Sequence, residues 1–417
     1  MTVNVHEQTE LSTLAQGLVG SEILRVASEI RALTEQGRQI CNLTVGDFSP
    51  REFRIPKRLE ELLIEALAAG ETNYPPSDGV KELRLAVVRF FKQSFGLDVP
   101  LESTLIACGA RPVIYAIFAA LVDRGDKVIY PVPSWNNNHY TYLAGGTPVE
   151  IVVGPDTNFL PTAEQLRPHV RDARLICIST PVNPTGTVMS RDEVKAIAQL
   201  VVDENSRRTA RGERPLFLMW DQIYWMLTFG DSRHYAPPEL VPEAARWTVF
   251  VDGISKALAA TGLRVGWTVA PPHITARMRD ILGHVGAWAP RAEQVAVAKF
   301  LGMREEMDRF HEHMLRELKL RLDLLYDGFM RMKSDGLPVG AFAPQGAIYL
   351  SAQFRLPGRT NEEIRKLMLD RAGFAMVAFQ AFGLRQDTGW FRLSAGAVSP
   401  KDIEAGLQRV RQTLENL

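Results

Sequence analysis

Between residues 104 and 270 the chain alternates short apolar runs with stretches of helical spacing, and no other feature narrows its folding options as much. The runs are residues 105–108, 128–130, 149–153, 175–179, 216–220, 248–251 and 266–270. Apolar runs this short, spaced to leave room for a helix between them, read as strands buried on both faces. The predicted architecture is therefore a doubly wound α/β fold of about seven strands. In open sheets of this kind functional residues gather beyond the strand ends, so the segments following each run carry the most information.

Outside that region, Ile23, Leu24, Ala27, Ile30 and Leu33 recur at helical spacing, with Ser21 as N-cap and Gly37 as terminator. Residues 40–45 read as a strand entering the turn-rich Gly46-Asp47-Phe48-Ser49-Pro50, and residues 56–69 as a helix. Residues 291–332 read as one long helix with heavy charge on one face. The tail mixes strands (347–350, 390–394) with helices (361–371, 401–414), as in a smaller α+β domain. A chain of 417 residues with 46% hydrophobic content can fill two cores. The expected division is residues 1–50 contributing to the small domain, 51–300 as the large domain and 301–417 as the rest of the small one.

Forty-eight basic and 48 acidic side chains leave a formal charge of zero, hence no field to attract nucleic acid or an anionic membrane. The first 20 residues are polar, and no apolar run is long enough to span a bilayer, so a cytoplasmic location is expected. Cys41, Cys108 and Cys177 lie in or beside apolar stretches, without metal-type spacing; they are expected to be reduced, and no metal is expected.

Lys256 ends Asp252-Gly253-Ile254-Ser255-Lys256, just past an apolar run, and Arg264 follows eight residues on in Thr261-Gly262-Leu263-Arg264. An amine among small residues can form an imine with an aldehyde, and a nearby arginine can hold a phosphate, which suggests pyridoxal phosphate. Alone, the Ser-Lys pair reads as a solvated turn, and it is the surrounding motifs that point to chemistry. Asp221 ends the 216–220 run, where a carboxylate can keep a pyridine nitrogen protonated or merely cap a helix. Tyr224 and Asn183 can both donate to the ring's phenolic oxygen, although Asn183-Pro184-Thr185-Gly186 is otherwise a turn signal. Gly109-Ala110-Arg111 leads to a helix that Pro112 is expected to open, so the Ala110 and Arg111 amides can face a phosphate. Trp135, after the 128–130 run, can stack on a planar ring or belong to the core. Arg392, between Phe391 and Leu393, suits the α-carboxylate of an amino acid or a structural ion pair.

Taken in order, Gly46-Asp47, Asn73-Tyr74, Gly109-Ala110, Trp135, Asn183-Pro184-Thr185-Gly186, Asp221-Gln222-Ile223-Tyr224, Ser255-Lys256, Thr261-Gly262-Leu263-Arg264, Pro344-Gln345-Gly346-Ala347 and Phe391-Arg392-Leu393-Ser394 resemble the class I/II aminotransferases of pyridoxal-phosphate fold type I. The resemblance covers about residues 21–414. It implies a mostly parallel seven-stranded sheet sandwiched by helices, plus the smaller α+β domain. It also implies that Lys256 carries the cofactor, that Asp221 faces the pyridine nitrogen, and that Asn183 and Tyr224 bond the phenolic oxygen. Ser255, Arg264 and the amides after Gly109 would hold the phosphate, with Trp135 stacked on the ring. Arg392 would grip the substrate carboxylate beside Gly46, with Trp135 and Asn183 also near the substrate. Tyr74 would reach the site of a neighbouring subunit, making the protein a homodimer.

The implied reaction moves the α-amino group of an L-amino acid to a 2-oxo acid such as 2-oxoglutarate, by a ping-pong path through pyridoxamine phosphate. A lyase or cyclising enzyme could use the same Lys256, Asp221 and Arg392. A cofactor-dependent regulator would need a DNA-binding segment, and the residues before Ser21 are too few for one. Residues 134–139 look like the corresponding stretch of aspartate aminotransferases, which favours a dicarboxylic substrate with His284 or Arg291 as its second cation. Trp288 could instead wall an apolar pocket. The chain departs from the family at three places: it has Gln222 in a motif that usually reads Asp-Glu-Val-Tyr, Leu263 where an aromatic is usual, and Arg111 where a smaller or amide side chain is common.

Overall fold

The computed structural model describes residues 10–20 and 22–417, which leaves the expected cap Ser21 outside the described residues. Strand β1 (Cys41–Asn42) precedes a sheet of seven strands: β2 (Thr104–Cys108), β3 (Lys127–Val132), β4 (Thr147–Val152), β5 (Ala173–Ser179), β6 (Phe217–Asp221), β7 (Thr248–Gly253) and β8 (Val265–Val269). Their spatial order is β2-β8-β7-β6-β5-β3-β4. The pairs from β4 across to β7 are parallel, while β8 runs antiparallel to both β7 and β2.

The strands carry apolar residues at consecutive positions because both faces are covered. Ile176, Ile178, Leu218, Trp220 and Phe250 enter one core, with Leu59, Leu83 and Phe91 from the helices Lys57–Ala68 and Lys81–Phe95. Their neighbours Leu175, Cys177, Phe217, Met219, Val249 and Val251 point the other way, onto Val113, Ile117, Met278 and Leu282 of the helices Ala110–Leu121 and Pro272–Val285. In the central strands β5, β6 and β7 this is the period-2 alternation of a strand with no solvent face, whereas the edge strand β4 keeps Thr147, Pro148 and Val152 exposed.

A second, antiparallel sheet holds β9 (Val339–Phe342), β10 (Tyr349–Phe354), β12 (Val377–Ala378) and β13 (Trp390–Ser394), and β11 (Phe374–Ala375) pairs in parallel with β1. Leu318, Leu322, Leu325 and Phe329 of the helix Arg304–Ser334 pack with Leu350, Phe391, Ile403 and Val410 to form its core. The first long helix, Glu22–Glu35, buries Val26 and Ile30 against Leu369 and Ala375. Among the described residues no helix is long and apolar enough to cross a membrane.

Four local expectations need correction. The 40–45 strand is only two residues long, because the carbonyls of Leu43 and Thr44 turn to accept from the Ser394 backbone and the Arg392 side chain instead. The long helix at 291–332 breaks at residues 301–303, so that Phe300 packs under the large sheet while Leu318 and Leu322 serve the other core. A helix absent from the sequence reading occupies Lys81–Phe95 and stops at Gly96, whose φ of 69° is the left-handed conformation glycine favours at a helix end. Pro112 is the third helical residue, not the first, since Ala110 already begins the helix. A proline is tolerated there because amides of the first turn have no partner within the helix.

Candidate active site

The carboxyl ends of β2, β3, β5, β6 and β7 share one edge of the large sheet. Because β8 is reversed, its first residue lies at that same edge, which brings Arg264, one position earlier, beside Gly109 at the end of β2. Lys256 sits on the short helix Ile254–Ala257 after β7, Asp221 is the last residue of β6, and Asn183 and Trp135 stand in the loops after β5 and β3. Gly46, Ala110, Arg111, Trp135, Asn183, Asp221, Tyr224, Ser255, Lys256, Arg264 and Arg392 all line one cavity of about 510 Å³. Gly109 borders it: a side chain there would lie 2.2 Å from Nη2 of Arg264.

The Lys256 amine donates to the Gly46 carbonyl at 2.7 Å and lies over the rings of Phe48 and Tyr224. Burial holds its pKa down to about 8 from an ordinary 10.5; Asp47 opposes the shift, and Arg392, Arg111 and Arg264 add to it. A lysine so placed is uncharged often enough near neutral pH to act as nucleophile and base.

Asp221 is buried, accepts from the Ile223 amide at 3.2 Å, and has no ion pair among the described residues. Burial raises it to about 6 from 3.8. A buried carboxylate without a cation is stabilised by the N–H of a protonated heterocycle. Arg264 is fixed by donating to the carbonyls of Thr261 (2.8 Å) and Cys108 (3.0 Å). Ser255 and the first turn of the Ala110–Leu121 helix line the same cavity, and together with Arg264 they make a donor set suited to a phosphate. A phosphorylated pyridine aldehyde therefore fits the residues present at three separate points.

Arg392, at 1% exposure, donates to Asn183 Oδ1 (3.0 Å) and the Thr44 carbonyl, and its guanidinium lies between the rings of Tyr349 (4.7 Å) and Phe382 (4.9 Å). Its Nε has no partner and it forms no ion pair among the described residues, which removes the structural ion-pair reading. Burial holds its pKa below the ordinary value. Arg111 places its guanidinium 5.1 Å from the Trp135 ring centre.

Three expected residues lie elsewhere. Tyr74 is 81% exposed and packs edge-on against Trp288, with Arg291 and Glu71 close by. Arg291 pairs with Glu71, and His284 is exposed in the last turn of Pro272–Val285, so neither lines the cavity of its own chain. The sequence reading also missed residues. Tyr349 shares a 2.6 Å hydrogen bond with Tyr224, and behind the cavity the buried Gln222, His234 and Asp252 form a polar group with the half-buried Trp225. Tyr349 lies two positions beyond the quoted Gln345-Gly346-Ala347, and Asp252 is an acid ending an apolar run; both were legible only as anomalies of pattern.

The family of class I and II aminotransferases matches residues 38–410. The aspartate aminotransferase of Geobacillus stearothermophilus is 29% identical over 97% of this chain and 99% of its own length. That of Pyrococcus horikoshii is 30% identical over 93% and 95%. Among solved structures, the aspartate aminotransferase of Thermus thermophilus with maleate superposes with a TM-score of 0.87 at 28% identity, covering 97% of this chain and 99% of that one. An aromatic aminotransferase from Pyrococcus horikoshii gives 0.82 at 27% identity, covering 93% and 99%. Fold and likeness agree along nearly the whole length: the chain belongs to the class I and II aminotransferases and catalyses amino-group transfer.

Proposed function

We propose that the protein binds pyridoxal 5′-phosphate through Lys256 and moves the α-amino group of an L-amino acid, aspartate-type favoured, to a 2-oxo acid such as 2-oxoglutarate. The observation that carries this reading is a pair of complementary vacancies in charge: Asp221 is a buried anion without a cation, and Arg392 is a buried cation without an anion, in one cavity with Lys256. When bound, the cofactor supplies an electrophilic carbonyl and a ring that takes up the charge left as the substrate Cα loses its proton. Asp221 holds a proton at the ring nitrogen. Tyr224 and Asn183 would donate to the phenolic oxygen, Ser255, Arg264 and the Ala110 and Arg111 amides would hold the phosphate, and Trp135 would stack on the ring. Arg392 grips the α-carboxylate beside Gly46 and so aims Cα at the Lys256 amine, which moves the proton.

The dicarboxylate preference rests on Arg111. Of the cations lining the cavity, it alone is left once Lys256, Arg264 and Arg392 have their tasks, and it makes no ion pair among the described residues. It takes the place of His284 and Arg291 as the candidate partner of a side-chain carboxylate. The aspartate aminotransferases among the relatives support the same preference. Residues 51–300 are proposed to hold the cofactor, with 1–50 and 301–417 forming the smaller domain over it.

A panel of amino acids mixed with cofactor-loaded enzyme, without acceptor, tests this. Aspartate or glutamate is expected to yield about one 2-oxo acid per site in a single half-turnover, and Lys256→Ala none. Transamination at the wild-type rate in Lys256→Ala refutes the assignment. Reaction of apolar amino acids alone refutes the dicarboxylate preference, and an eliminated product in place of the 2-oxo acid favours the lyase reading.

A further inference from the structure

Successive residues of a strand face opposite sides of a sheet, so Asp221 enters the cavity and Gln222 points away from it. The Gln222 amide donates to the Val251 carbonyl at 3.0 Å, extending the β6–β7 ladder one step past Asp221. There its side chain meets Asp252, four residues before Lys256. Both are buried, at 0% and 2% exposure. Gln222 Nε2 donates to Asp252 Oδ2 at 3.2 Å, Trp225 Nε1 donates to the same oxygen at 3.0 Å, and the Gly253 amide donates to Oδ1 at 2.7 Å. Asp252 has no ion pair among the described residues. It is held by donors alone.

That donor set fixes the polarity of the whole group. Since Gln222 must present its NH₂ to Asp252, its oxygen faces His234 Nε2 at 3.3 Å, which makes His234 the donor there. The charged or titratable groups around the pair are Asp221 across the sheet and His234; burial holds His234 down to about 3 and raises Asp252 to about 7, Asp221 adding to the latter. A glutamate at 222, the residue usual in the family motif, would set two carboxylates 3.2 Å apart with no cation between them.

We propose that Gln222 and Asp252 are a positioning pair that locks the strand end carrying Asp221 to the turn carrying Lys256, and that the pair admits one acid only. The glutamine at 222 is then the necessary complement of the acid at 252, and the departure from the family motif is explained. This rests on the roles given above to Lys256 and Asp221. Neither member of the pair touches the cavity, so both act through those two residues.

A double-mutant cycle tests it, with wild type, Gln222→Glu, Asp252→Asn and the swapped double variant, each loaded with pyridoxal phosphate. Three readouts apply: the half-reaction rate constant at saturating amino acid, its KM, and the pH midpoint of the bound cofactor's absorbance. Each single substitution is expected to lower the rate constant roughly tenfold, to change KM less than about threefold and to shift the midpoint. In the double variant most of the loss returns, because one acid and one amide again face each other. Losses that multiply in the double variant overturn the proposal, as do unchanged rate and midpoint in singles that only melt earlier.

Should a single variant not fold, Trp225→Phe removes one donor to Asp252 and leaves the acid and the amide in place. A drop of about two- to threefold in rate with a shifted midpoint is expected, on the scale of one hydrogen bond; wild-type values for both overturn the proposal. Turnover by Lys256→Ala would instead refute the underlying assignment, so the two failures are told apart.

Discussion

Arg392 keeps a full charge at 1% exposure with two carbonyl-type oxygens and two aromatic rings as its surroundings. Such a charge is destabilising until an anion arrives, and the arriving anion gains what the protein lacks. Arg392→Gln is expected to cost about 10²–10³ in kcat/KM for every amino acid, the worth of a charged two-pronged contact, with cofactor absorbance unchanged; equal kcat/KM would remove Arg392 from the site. Lys256 allows a second measurement, on apoenzyme. Its folded pKa of about 8 lies below the ordinary 10.5, so the unfolded chain binds more protons between those values and stability rises with pH across that window. The stability difference between wild type and Lys256→Met should therefore grow from pH 8 to 10.5, by about 3 kcal/mol in wild type's favour, in urea unfolding; a flat difference would mean the amine is not buried. Lys256, Asp221 and Arg392 were legible in the sequence because their chemistry is costly anywhere else. Tyr349 and Asp252 were not, since what defines them is a partner far along the chain: 125 residues separate Tyr349 from Tyr224.

At the level of elements, the reversed strand β8 is what seats Arg264, and it does so by touching backbone to backbone. A Cβ on Gly266 would lie 2.5 Å from the Gly109 carbonyl carbon and 2.8 Å from the Ala110 nitrogen. Gly266→Ala must push the β2 loop outward, with an expected loss of about 1–3 kcal/mol in stability by overpacking and weaker cofactor retention on dialysis. Retention equal to wild type would show that the loop amides do not hold the phosphate. Strands were legible because two buried faces leave an uninterrupted apolar run. Helix limits were less so: the charged periodicity of 291–332 continues across Gly302, and only the need to pass from one core to another explains the break. The Lys81–Phe95 helix went unread although Leu83, Ala86, Val87, Phe90 and Phe91 have helical spacing.

At the level of the molecule, Tyr74 is 81% exposed and packs on the half-buried Trp288, outside the cavity of its own chain. If Tyr74 completes the neighbour's site, mixing Lys256→Ala subunits with Tyr74→Ala subunits yields hybrids with one native site. Activity should return on mixing to about a quarter of wild type per chain for random pairing; no recovery means that Tyr74 serves its own chain or none. The cavity is also stitched from distant parts of the polypeptide. Arg392 meets Asn183 across 209 residues and Thr44 across 348. A ribosome adding about 5–20 residues per second needs at least about six seconds to travel from Arg264 to Arg392. Through that interval the nascent chain has Lys256 and Arg264 but not Arg392, so with the roles proposed above it would meet pyridoxal phosphate well before it could tell an amino acid from any other amine.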